Sequence, residues 1–432
     1  MLVRMDTDTL TGLGATELAE LVRTGRVAVA DVVRSHLDVI ARRDPELHAF
    51  EEVYAEQAML EAAALDGRAD LAALPLAGVP LAIKANMRPD DELVRRMRAA
   101  GCVVVGRTLM PELAAWGFTS SQRFGPTRNP HDTALDPGGS SGGSAVAVAT
   151  GMAALALGTD GGGSLRIPAA YTGVVGVKPT AGAVPLPGGL AEHWCGLTVA
   201  GPMARTVGDA RAALEVLTGR PQSSTRRDPL RIAVSLRSPS PIGRPDAHQC
   251  AAVARAAQLL RGLGHQVRDE SPPYPATLLN RWQRRWWAGI AEEADRLGLG
   301  PGDLEARTAT MVGKGRRVLR RGLKEAEAIS WRAAVAEWFS GIDVLVTPAV
   351  ARGPMRAGGY DGVGYLRTYL MGARSHPYCQ AWNLAGTPAL VVAVGSADGL
   401  PLAVQLAGPA DSEPRLVAVA ATLEAAAAHP AD

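Results

Sequence analysis

Lysine is nearly absent from this chain. Of its 45 basic residues only Lys84, Lys178, Lys314 and Lys324 are lysine; all the others are arginine. Arginine keeps its proton in any protein environment, whereas a buried lysine can shed one. Each surviving lysine is therefore a position to inspect. Cysteine is scarce as well. Cys102, Cys195, Cys250 and Cys379 lie far apart, with no CxxC pair and no zinc spacing, which excludes a disulfide framework and a zinc ribbon and leaves free thiols suited to a reducing compartment. The opening "MLVRMDTDTLTGLGATELAELV" carries acids where a secretion signal has its apolar stretch. No apolar run reaches membrane-spanning length, because Gly, Pro or a charge interrupts each one. Charge of one sign is lacking too: 45 basic against 43 acidic residues leave +2, no basis for binding nucleic acid or an anionic membrane. Aromatics make up only 4%, so the core must be built mainly of Ala, Val and Leu. The expectation is a cytoplasmic protein without a membrane segment, bound metal or cofactor.

What is present is an alternation of short apolar segments and amphipathic ones. Residues 15–70 read as N-terminal helices, with "ATELAELVRTG" stopped at Gly25, "VADVVRSHLDVIARRD", and an Ala-rich segment from about Ala49. "PLAGVPLAIKA" at 75–85 has the apolar density of a buried strand. "DELVRRMRAAG" followed by "CVVVGRT" predicts helix, tight stop, strand. Further strands are predicted in "VVGVKPT", "RIAVSL", "DVLVTPA", "ALVVAVG" and "AVQLAG", with a helix near 206–218. This alternation predicts an α/β fold with a twisted mixed central sheet covered by helices on both faces. Residues 71–220 and 341–427 read as the core. The stretch 239–340, nearly all helical, Arg-rich and Trp-bearing, reads as a helical insertion or cap on a single domain.

Two Gly-Ser clusters, "GGSSGGS" at 138–144 and "GGGS" at 161–164, flank an apolar segment read as a helix over 142–156. A flexible linker has no such apolar centre. A phosphate-cradling loop is excluded, since neither GxxxxGK[ST] nor GxGxxG occurs here. Residues 139–143 match a GxSxG elbow centred on Ser141, but that arrangement needs a downstream histidine, for which His376 is the candidate. The third reading is a serine activated by lysine through a second serine. Successive amides of Gly161, Gly162 and Gly163 can form an oxyanion hole, with Ser164 beside it as acyl-forming nucleophile. Ser140 supplies the second hydroxyl. Lys84, ending an apolar strand, supplies the base, because burial disfavours its charged form.

The stretch "GPTRNPHDTALDPGGSSGGSAVAVATGMAALALGTDGGGSLRIPAAYTGVVGVKPT" resembles the signature of the amidase signature family. "LAGVPLAIKANM", "GPMARTVGDA", "DVLVTPA" and "NLAGTPALVVAVGSADGLPLAVQLAG" resemble other parts of that family, so the likeness runs from about residue 15 to 425 and is weakest over 220–340. The resemblance implies the amidase fold and a Ser–cisSer–Lys triad of Ser164, Ser140 and Lys84. It also implies an oxyanion hole at Gly161 to Gly163 together with the amide of Ser164, with Ser141, Asp160, Arg166 and Lys178 as supporting loop-ordering residues.

The implied activity is hydrolysis of a linear carbon–nitrogen amide bond in a small molecule, in a specialised metabolic or biosynthetic pathway, by a chain that could act as a homodimer. Three departures bear on the substrate: Ala85 stands where the family has an acid, Leu109 where it has Asn, and Ala393 where it has Pro. The segment "NMRPDDELVRR" also replaces a long Gly/Thr-rich loop. Two rival readings are a glutaminase-type subunit of a tRNA-dependent amidotransferase and a non-catalytic scaffold. Trp116, Trp282, Trp286 and Trp287 are candidates for an apolar acyl pocket as well as for plain core.

Overall fold

The computed structural model describes residues 6–223 and 229–428. Among them, eleven strands form one mixed sheet. In chain order these are β1 (Phe50–Val53), β2 (Pro80–Lys84), β3 (Val103–Thr108), β4 (Leu155–Asp160), β5 (Val175–Lys178) and β6 (Val199–Ala204). They continue with β7 (Arg231–Val234), β8 (Gln266–Asp269), β9 (Val344–Pro348), β10 (Ala389–Ala397) and β11 (Leu400–Ala407). Across the sheet the order is β1-β3-β2-β4-β6-β5-β10-β11-β9-β7-β8. The trios β3-β2-β4 and β9-β7-β8 pair in parallel, and every other pairing is antiparallel. Every residue of β2, β4, β6 and β9 is buried, in keeping with the apolar density that marked β2 and β9 as strands in the sequence.

Helices flank the sheet in two packed groups. Gly142–Ala149 and Arg166–Thr172 pack together against it, as do Val207–Thr218, Ala247–Gly262 and Glu413–Ala428. No described helix is long and apolar enough to cross a membrane.

Three expectations change. The helix read over 142–156 ends at Ala149, and the chain turns through Gly151 at φ 73° into β4. A fully buried strand shows no alternation, so periodicity could not separate it from the helix before it. The strands β1 and β8 occupy the sheet edges and are short and largely polar, which hides them in the sequence. Nor is 239–340 all added helix. Helix Ala247–Gly262 links β7 to the parallel β8 and packs on the sheet.

The later helices, Leu278–Arg296, Ala306–Arg321 and Glu325–Phe339, contribute to a second apolar cluster with Trp116, Trp194, Trp331 and Trp382. The first two of these helices lie against each other, and Gly315 is buried at their crossing. A side chain at that position would run into the carbonyl oxygen of Trp287. The change Gly315→Ala is accordingly expected to destabilise the protein by about 1–3 kcal/mol through overpacking. Thermal unfolding of the purified variant beside the wild type measures it.

Candidate active site

Because β2 and β4 run side by side in the same direction, their C-terminal ends open at one edge of the sheet. Lys84 is the last residue of β2 and Asp160 the last of β4. Lys84 is fully buried (0% exposed). Its Nζ lies 2.6 Å from Ser140 Oγ and donates to the hydroxyl of Thr159 at 3.0 Å and its carbonyl at 3.4 Å; none of these partners is a carboxylate. Burial lowers the Lys84 pKa from 10.5 to about 7, with the negative charge of Asp160 opposing the shift only in part.

The loop that presents Ser140 is pinned from both sides. Asp136 accepts from Gly138 N–H at 2.7 Å and Thr119 N–H at 3.2 Å. The Thr119 hydroxyl donates to Gly138 O at 2.8 Å and accepts from Gly142 N–H at 3.2 Å. The Gly139–Ser140 peptide is cis, and Gly139 lies so close to Phe118 that a side chain there would meet its backbone. The two Gly-Ser clusters then join directly, as Ser141 N–H donates to Ser164 O at 3.2 Å.

The second cluster is organised by a fully buried ion pair. Arg166 Nε donates to Asp160 Oδ2 and Arg166 Nη2 to Asp160 Oδ1, each at 2.9 Å. Its remaining donors reach Cys379 O at 3.0 Å, Gln405 Oε1 at 2.7 Å and Asn383 Oδ1 at 2.6 Å. Asn383 Nδ2 in turn donates to Asp160 Oδ1 at 2.9 Å. Burial alone would raise the Asp160 carboxyl, but the Arg166 guanidinium and these hydrogen bonds hold it well below the usual carboxylate range. Asp160 also accepts from Gly163 N–H at 2.7 Å and Leu165 N–H at 3.2 Å. Gly163 sits at φ 122°, where only glycine is at ease.

The expected oxyanion amides differ in their hydrogen bonding. The Gly163 amide is engaged by Asp160, whereas the N–H groups of Gly161, Gly162 and Ser164 make no hydrogen bond to a described residue. The Gly161 carbonyl is fixed by Trp282 Nε1–H at 2.9 Å.

Two cavities meet at Ser164, and both are lined by Ala114, Ser164 and Trp194. One is walled by Trp116, Trp282, Trp286 and Tyr369. The other is the more polar of the two and includes Asn86, Arg88, Ser140, Thr159, Glu293 and Arg296 beside apolar residues such as Met110 and Leu113. The short segment after Lys84 forms part of this polar wall, with Asn86 Nδ2 donating to Thr159 Oγ1 at 3.2 Å.

Trp287, the fourth candidate from the sequence, stands instead over Lys314, whose Nζ is 5.2 Å from the ring centroid. The elbow reading finds no support. His376 lies on the aromatic cavity and faces Tyr171, while Ser141 Oγ donates to Thr159 O at 3.4 Å. Sequence reasoning missed Thr159, Asn86, Asn383, Gln405 and Trp194. Thr159 alone carried a local signal, being next to Asp160 in the glycine motif.

The sequence profile of the family described as Amidase matches residues 87–417. AmiB2 of Mycobacterium bovis, classed by name as an amidase, is 40% identical over 457 residues, covering 98% of both chains. A glutamyl-tRNA(Gln) amidotransferase component from Acidothermus cellulolyticus is a more distant relative, 36% identical over 95% of this chain and 94% of its own length. Among solved structures, 6-aminohexanoate cyclic dimer hydrolase in complex with its substrate superposes with a TM-score of 0.84 at 29% identity, covering 96% of this chain and 97% of that one. The chain belongs to the amidase signature family, and its chemistry is amide hydrolysis.

The buried pair makes a stability prediction. Arg166→Met would strand the Asp160 carboxylate without compensation. It is expected to lower the unfolding free energy by about 3–5 kcal/mol, read from the shift of the urea midpoint at constant slope.

Proposed function

We propose that the chain is a single-domain hydrolase of linear amides in which Ser164 forms the acyl-enzyme, Ser140 relays the proton and Lys84 is the base. The observation that carries this reading is the fully buried Lys84, without a carboxylate partner among the described residues and with its Nζ 2.6 Å from Ser140 Oγ. At neutral pH much of this lysine is uncharged, because burial brings its pKa to about 7. Uncharged Nζ takes the Ser140 proton as Ser140 Oγ takes that of Ser164, and Ser164 Oγ bonds to the carbonyl carbon. The negative charge on the carbonyl oxygen falls to the free amides of Gly161, Gly162 and Ser164. Collapse breaks the carbon–nitrogen bond, and the nitrogen leaves with a proton returned through Ser140 from Lys84. Water then repeats the sequence to release the acid.

The linings of the two cavities support an assignment of the two arms of the substrate. The departing nitrogen must be reached by Ser140, and Ser140 lines the polar cavity but not the aromatic one. The amine arm therefore belongs in the polar cavity and the acyl arm between the tryptophans, a division that suits a linear amide with two separate ends. The helix Leu278–Arg296 acts as a cap that walls the acyl side through Trp282 and Trp286. Such a wall is a poor host for the charged α-carbon end of glutamine, which disfavours the glutaminase role in a tRNA-dependent amidotransferase.

Two measurements test this. Ser164→Ala should lower kcat/KM for aryl amides by about 10⁴–10⁶-fold and abolish covalent labelling by a fluorophosphonate; full turnover by that variant would refute the nucleophile. The rate should fall as pH drops through about 7, because protonated Lys84 cannot accept a proton. The residual activity of Lys84→Ala should lack that acidic limb, and a limb that persists near neutrality would assign the base to another group.

A further inference from the structure

The aromatic cavity is not uniformly apolar. His376 follows the helix Tyr365–Ser375, is 5% exposed, and forms part of the cavity wall. Its Nε2 lies 3.2 Å from the hydroxyl oxygen of Tyr171. That hydroxyl has a single proton, which it donates to Arg352 O at 2.8 Å. Nε2 must therefore carry the hydrogen in this contact, with the tyrosine oxygen accepting. Burial lowers the His376 pKa to about 4, so the ring is neutral and holds no second proton. Nδ1 is left as a bare acceptor. It faces Gly117, another cavity residue, where an added methyl would sit 2.8 Å away, and it takes no hydrogen bond from a described residue.

A second acceptor stands nearby. Gln380 also lines the cavity and is 9% exposed. Its Nε2 donates to His376 O at 2.6 Å, which fixes the amide orientation and leaves Oε1 buried with no donor among the described residues. Two donors elsewhere on the wall are engaged. Trp282 Nε1–H goes to Gly161 O at 2.9 Å, and the Thr368 hydroxyl to Gly364 O at 3.1 Å. Trp194 Nε1–H has no partner among the described residues, but Trp194 belongs to the mouth shared with the polar cavity, beside Gly161.

We propose that the acyl cavity selects acyl groups bearing a hydrogen-bond donor, a hydroxyaryl group being the chemistry it fits, and that His376 Nδ1 is the specificity-determining acceptor. The aromatic walls bury the ring, and the acceptor takes the proton of the hydroxyl at its far end. An acyl group without a donor leaves Nδ1 and Gln380 Oε1 dry and unpaired, which is how a polar site rejects an otherwise matching apolar analogue. The inference rests on placing the acyl arm in this cavity and on Ser164 as nucleophile.

The test uses the 4-nitroanilides of 3-(4-hydroxyphenyl)propanoic and 3-phenylpropanoic acid, which differ only in the donor. The wild-type enzyme should favour the hydroxylated amide by about 10-fold or more in kcat/KM. His376→Phe should bring that ratio to about 1 by losing turnover of the hydroxylated amide alone, whereas a general structural defect would slow both. Equal kcat/KM values in the wild type overturn the proposal without any variant, so a misfolded His376→Phe does not protect it. An undiminished ratio in a folded His376→Phe removes His376 from the role. Acylation of Ser164, followed by mass spectrometry, separates the levels. Equal turnover with Ser164 acylated sinks the inference alone, whereas cleavage of neither amide with no acylation sinks the underlying reading and the inference with it.

Discussion

Asp160 and Arg166 neutralise each other in the dry interior, and the rest of the site depends on that pairing. Asp160 is near enough to Lys84 to favour its charged form, yet the Lys84 pKa still comes down to about 7. A carboxylate at the end of β4 without its own cation would hold the lysine as an ammonium, useless as a base. With five donors arranged in a fork, Arg166 satisfies Asp160 twice and three further acceptors as well. Such a pair does little for stability compared with an apolar replacement, but breaking it is costly. Its value lies in what it positions.

That positioning crosses the whole chain. Through Arg166 the carboxylate is tied to Cys379, Asn383 and Gln405, so the C-terminal third holds the loop on which Ser164 stands. The Gly163 amide turns inward to the carboxylate, while the amides of Gly161, Gly162 and Ser164 make no hydrogen bond to a described residue. The helix Leu278–Arg296 reaches the same loop from the opposite direction through Trp282 and Gly161. The glycines follow from this crowding. A side chain on Gly161 would strike Trp194, on Gly162 Trp282, and on Gly163 Cys379. Consecutive glycines therefore serve close packing as much as open access.

The local part of this arrangement was legible in the sequence. Lys84 could be placed because a lone lysine ended an apolar strand in an arginine-rich chain, and the serines because they interrupt glycine runs whose bulk would otherwise be unexplained. The α/β alternation made most strands visible, since β-branched runs such as those of β3 and β9 leave little choice. Two buried strands escaped, β4 because it prolongs the apolar run of the helix before it and β6 because Gly201 and Pro202 interrupt it; the rest of what escaped was of two kinds. The edge strands β1 and β8 owe their conformation to a neighbour rather than to their own polar residues. Asn383 and Gln405 lie more than two hundred residues from Asp160, and nothing in their local sequence announces a guanidinium between them. The amides of 161–164 fall between these cases, for the glycine run was visible but the engagement of Gly163 depends on the buried carboxylate.

Lys178 shows which feature of Lys84 matters. It is the other lysine buried completely, and burial together with the positive charge of Arg166 lowers its pKa to about 7 as well. By composition, by burial and by acidity the two are equivalent. Their surroundings are not. Lys178 Nζ donates to the carbonyl of Pro179 at 3.0 Å, an acceptor that has no proton to give, whereas Lys84 Nζ meets a serine hydroxyl at 2.6 Å. A shifted pKa makes a lysine able to take a proton, and only a hydroxyl in reach provides one. The sheet supplies the difference, ending β2 beside the loop of Ser140 and β5 beside a proline.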